Sequence, residues 1–102
     1  MKERIENFVN RLNEEVKTDP FFEGRTDNLP TYEVDKGGRK YIRIVHIDGF
    51  GGHRSVWGFV EAATGNIFKA AGWKAPAKHA RGNIETAEYG RNYTWTGPNY
   101  LR

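Results

Sequence analysis

The chain has 102 residues, of which 37% are hydrophobic, 14% aromatic and 28% charged, with 12 glycines and no cysteine. That length suits one domain, 1–102, with one modest core, and the missing cysteines exclude a disulfide framework, thiolate chemistry and a Cys-based zinc site. The net charge of +3 hides a split: residues 1–48 carry nine Lys and Arg against ten acids, and residues 49–102 carry seven against three.

The N-terminus, MKERIENFVNRL, is charged throughout and has no apolar leader. No apolar run approaches the ~20 residues that span a bilayer. A cytoplasmic protein that avoids membranes is expected. Ile5, Phe8, Val9, Leu12 and Val16 recur at the spacing of one helical face, which predicts an amphipathic N-terminal helix. Asp19-Pro20 should stop it, because the residue before proline disfavours helical backbone. Phe21 and Phe22 then read as core plugs.

Residues 23–30 read as a loop, 31–34 as a short strand and 36–38 as a turn. KYIRIVHI at 40–47 alternates and is β-branched; SVWGFVEA at 55–62 and IFKAAG at 67–72 follow as further strands. The fold class is therefore α+β. The N-terminal helix packs on a three- to four-stranded antiparallel meander, followed by a basic loop or short helix and an aromatic C-terminal tail. The tail, with Tyr89, Tyr93, Trp95 and Tyr100, is dense enough in rings to pack across the sheet or join a binding site or oligomer interface.

The stretch KAAGWKAPAKHARGNI, 69–84, holds Lys69, Lys74, Lys78, His79 and Arg81, and no acid stands between Glu61 and Glu85. Segregated charge of this kind points to an anionic partner. Pro76 at the first position and Gly82 past the end suggest a short helix with Lys78 and Arg81 on one face. Arginine offers phosphate a fork, lysine a point charge and Trp73 a stacking surface, while Asn83 can read a base edge. The competing interpretation is a solvated lysine-rich turn anchored by Trp73.

The loop DGFGGH at 48–53 gives secondary candidates. Gly51 and Gly52 offer backbone N–H groups to an anion, with His53 and Arg54 beside them, although a glycine-built hairpin turn explains the loop equally well. It is neither a dinucleotide fingerprint nor a P-loop. His46, Asp48 and His53 match no metal-ligand spacing, so no metal or other cofactor is assigned.

The segment VWGFVEAATGNIFKAAGWKAPAKHARGNI resembles small proteins encoded by tailed bacteriophages, which share a Gly-Ile-Lys strand pattern, then WKAPAK, then RGN. The resemblance covers about residues 40–84, is specific over 67–84, and concerns proteins mostly without assigned activity. It implies a phage accessory protein, with an anti-defence role by analogy, in the host bacterial cytoplasm. The expected function is non-catalytic sequestration of a small phosphorylated nucleotide-type ligand, such as a cyclic (oligo)nucleotide signal, by a homo-oligomer. The alternatives are nucleic-acid binding, a metal-independent nuclease or phosphodiesterase, and a protein inhibitor of a host enzyme.

Overall fold

The computed structural model describes residues 2–22, 27–35 and 37–99. Residues 23–26 of the expected loop at 23–30, Lys36 of the expected turn and Tyr100 of the tail lie outside the described residues. Helix α1 spans Lys2–Lys17 and buries Ile5, Phe8, Val9, Leu12 and Val16, the five residues of its apolar stripe. It stops where expected, and Asp19 then accepts the Phe21 N–H through its side chain. Only Phe22 plugs the core; Phe21 is 65% exposed.

Five strands follow: β1 (Thr31–Val34), β2 (Tyr41–Ile47), β3 (Arg54–Glu61), β4 (Asn66–Ala70) and β5 (Pro76–Asn83). They form one antiparallel sheet in the order β1-β2-β3-β4-β5. The fold is α+β, as the sequence indicates. Two details differ. The sheet has five strands rather than three or four, and PAKHARGN is a strand rather than a short helix.

The physical reason lies at the edge of β4. A helix of two turns with no good N-cap is marginal by itself. As β5, the same residues pair with β4 and complete its ladder. The match is imperfect. The register runs Ile67↔Gly82, then Phe68↔Ala80, then Ala70↔Pro76, so β5 is bulged twice and Arg81 is the extra residue of the first bulge. Bulges and charges are also how proteins protect an outer strand from pairing further. At the opposite edge Asn13 of α1 does this work. Its amide accepts the Tyr32 N–H at 2.9 Å and donates to the Tyr32 carbonyl at 3.0 Å.

Alternation along the strands separates two rows of side chains. Ile42, Val60 and Ile67 are cross-strand neighbours on the side of α1. Arg43, Phe59, Phe68 and Ala80 form the adjacent row and face the other way. The tail crosses the α1 side as a small hairpin, β6 (Tyr93–Thr94) and β7 (Gly97–Pro98). Tyr93 is fully buried, with Phe8 at 5.1 Å and Trp57 at 5.7 Å between ring centroids. Its hydroxyl donates to Glu15 at 2.6 Å; burial first, then that bond, push its pKa up to about 12. The Trp57 indole donates to the Thr94 carbonyl at 2.9 Å. Gly58 is the seat of the hairpin: a Cβ there would meet the Phe68 carbonyl at 2.8 Å and the Pro98 ring at 3.0 Å.

Candidate functional site

The residue after Phe68 returns to the α1 side of the sheet, so Lys69 points toward the tail. Its ammonium donates to the Pro98 carbonyl at 2.8 Å. The bulge at Arg81 turns that side chain the same way. Its Nε donates to the His79 carbonyl at 3.0 Å and its terminal nitrogen to the Asn99 carbonyl at 2.9 Å. Two cations are thus held next to each other under the end of the tail hairpin. Burial first, then the charge of Arg81, lower the Lys69 pKa below its ordinary value.

Lys69 lines a cleft of about 690 Å³ together with Gly90, Arg91, Thr96, Gly97, Pro98 and Asn99, and Arg81 stands behind Asn99, outside the lining. Hydrogen bonds tie the rim together. The Gly90 N–H donates to the Tyr93 carbonyl at 2.6 Å, the Asn99 N–H to the Asn92 carbonyl at 2.9 Å and the Asn99 amide to the Arg91 carbonyl at 2.6 Å. Arg91 is exposed and pairs with Glu88 at 3.9 Å. The lining therefore offers cations, a hydroxyl and an amide, the donor set that phosphate oxygens accept from. The volume lies within the usual range for small-molecule sites.

The sequence candidates divide. Lys69 lines this cleft, and Arg81 adjoins it through the Asn99 carbonyl without lining it. Lys74, Lys78 and His79 are exposed and do not line it. Trp73 lies on the opposite side of the sheet, 44% exposed, with the Arg43 guanidinium 4.7 Å from its ring centre. Asn83 fixes a turn. Its amide donates to the Thr64 carbonyl at 2.8 Å and to Asn66 at 3.1 Å, and its oxygen accepts the Glu85 N–H at 3.0 Å.

The Gly51-Gly52 loop lies in the β2–β3 turn, away from the cleft. There the Asp48 carboxylate accepts the Phe50 N–H at 2.7 Å, and the Asp48 carbonyl accepts the Gly52 N–H at 3.0 Å. The Gly52 N–H expected to meet an anion is thus taken by a backbone carbonyl, and the loop's carboxylate caps Phe50. Of its neighbours, His53 is exposed and Arg54 pairs with Glu33 at 3.3 Å.

Sequence reasoning missed Arg91, Thr96 and Asn99. The one available signal was Thr96-Gly97-Pro98, a turn signature inside an otherwise aromatic tail. It also missed Arg43, whose partners lie 8 and 30 residues away. A second, apolar cleft of about 340 Å³ is lined by Phe21, Phe22, Pro30, His46, Phe50 and Trp95, among others. Burial lowers the His46 pKa there.

The chain belongs to the family described as a family of unknown function (DUF7717), whose model matches residues 2–101. No curated protein and no solved structure matches it. Among the described residues no helix is long and apolar enough to cross a membrane.

Proposed function

We propose that this chain binds a small phosphorylated, nucleotide-type ligand in the cleft beside Lys69, Arg81 and Arg91. The observation that carries this reading is the adjacency of Lys69 and Arg81. Like charges that are partly desolvated side by side oppose each other, and an anion between them removes the opposition. Arg91 supplies an exposed guanidinium, Lys69 a point charge and Thr96 a hydroxyl, with the charge of Arg81 behind them; Gly90 and Gly97 let a ligand approach the backbone closely. The resemblance to phage proteins adds the ligand class, a cyclic mono- or oligonucleotide held without turnover in the host bacterial cytoplasm. The cleft is open to solvent, and a homo-oligomer would enclose the ligand.

Isothermal titration with a panel of cyclic mono- and dinucleotides, and with inorganic phosphate, tests this. Each charged hydrogen bond removed should cost about 1.5–3 kcal/mol. Lys69→Ala with Arg81→Ala should therefore abolish measurable binding. No binding by the wild type, or unchanged binding by the double variant, would overturn the reading.

A further inference from the structure

The face of the sheet turned away from α1 has its own organisation. Tyr41, Arg43, Phe59 and Phe68 lie on it, with the Tyr41 and Phe68 rings 5.6 Å apart. Arg43 is the hub. Its Nε donates to the Trp73 carbonyl at 2.6 Å, its terminal nitrogen pairs with Asp35, and its guanidinium stacks on the Trp73 ring. The β4–β5 loop is thereby fastened, and Trp73 is held in place while 44% exposed. An exposed tryptophan that is held rather than loose loses little freedom when something stacks on it.

Three lysines belong to the elements that border this face. Lys40 lies over the Tyr41 ring at 5.4 Å, Lys74 follows Trp73 in the loop, and Lys78 lies two residues before Ala80 on the outermost strand. None of the three lysines forms an ion pair among the described residues. Among the acids of this side, Asp35 is engaged by Arg43, and Glu61, opposite Tyr41, accepts the Thr64 hydroxyl at 2.8 Å.

We propose that this face is a platform for single-stranded nucleic acid, with a base stacked on Trp73 and the backbone held by Lys40, Lys74 and Lys78. A fixed half-exposed ring among unpaired cations is the pairing such strands require, since an unpaired base has a free π-face and its phosphates need neutralising. A duplex hides its base faces, and an acidic protein would engage the lysines without needing the indole. The proposal is independent of the cleft, which opens on the other side of the sheet.

The test is fluorescence anisotropy with labelled 12-nucleotide oligo-U and oligo-dT, and with a 12-base-pair duplex. Single strands should bind more tightly than the duplex. Neutralising three phosphates predicts a slope of log affinity against log salt of about −2, at roughly −0.7 per phosphate. Trp73→Ala should weaken binding roughly fivefold or more, and Trp73→Phe should restore most of it. Lys74→Ala with Lys78→Ala should flatten the slope by about 1.4. Arg81→Ala should leave strand affinity unchanged. Three results would overturn the proposal: no binding at low salt, equal affinity in Trp73→Ala, or preference for the duplex. Tighter binding to phosphatidylserine vesicles than to single strands would assign the face to a lipid surface instead.

Discussion

Lys69 and Arg81 belong to the same acid-free stretch as Trp73, Lys74 and Lys78, yet the fold gives the two groups opposite surroundings. The first pair turns under the tail hairpin, where its donors meet the Pro98 and Asn99 carbonyls. In the second group, Trp73 sits on the far side of the sheet against Arg43, and Lys74 and Lys78 remain in solvent. The difference arises from strand alternation at Phe68-Lys69 and from the single extra residue at Arg81. A run of charges in sequence is thus no guide to a shared surface when it continues through a hairpin.

The contrast is broken most severely by removing the support of the cleft. Tyr93→Ala empties a fully buried ring site between α1 and Trp57 and should cost about 3–5 kcal/mol of stability, read as a lower denaturation midpoint. Gly58→Ala acts locally. A methyl forced against the Phe68 carbonyl and Pro98 should cost about 1–3 kcal/mol and displace the hairpin. Nucleotide affinity should fall while strand affinity is retained, a split visible by titrating both ligands. Arg43→Lys cuts the other way. It keeps the charge but loses the fork and the stack, about 0.5–2 kcal/mol at most, and should raise the mobility of the Trp73 ring in solution NMR without changing the cleft.

The smallest effect is a dependence on pH. The Lys69 pKa lies below its usual value because of burial and then Arg81. Between that lowered pKa and the ordinary one the unfolded chain binds more protons, so stability without ligand should rise with pH across this window. Anion affinity should fall over the same window as the ammonium deprotonates. Lys69→Arg should remove that fall, and titrations at stepped alkaline pH would show it.

The stripe from Ile5 to Val16, the strand at 31–34 and the alternation of 41–47 are local signals, and they were legible. β5 was not. Pro76 and Gly82 punctuate a strand as well as a helix, and only the open edge of β4 decides between them. Lys69 and Arg81 were identifiable as cations, but their convergence depends on the bulge register, which no spacing rule contains. Arg91, Thr96 and Asn99 were invisible because the tail gives no periodicity. Its hairpin exists through Gly58 and Trp57, about 40 residues earlier. Trp73 reads as a stacking ring, and nothing in the sequence indicates that Arg43 holds it on the other face.

The most direct test of two separate surfaces is a single calorimetric comparison. Wild type, Arg81→Ala and Trp73→Ala are titrated with the cyclic nucleotide that binds the wild type best. The cleft predicts binding lost or weakened at least tenfold in Arg81→Ala, as expected for a charged hydrogen bond of about 1.5–3 kcal/mol, and unchanged in Trp73→Ala. Equal loss in both variants would make the basic stretch one site, and full affinity in Arg81→Ala would remove the ligand from the cleft.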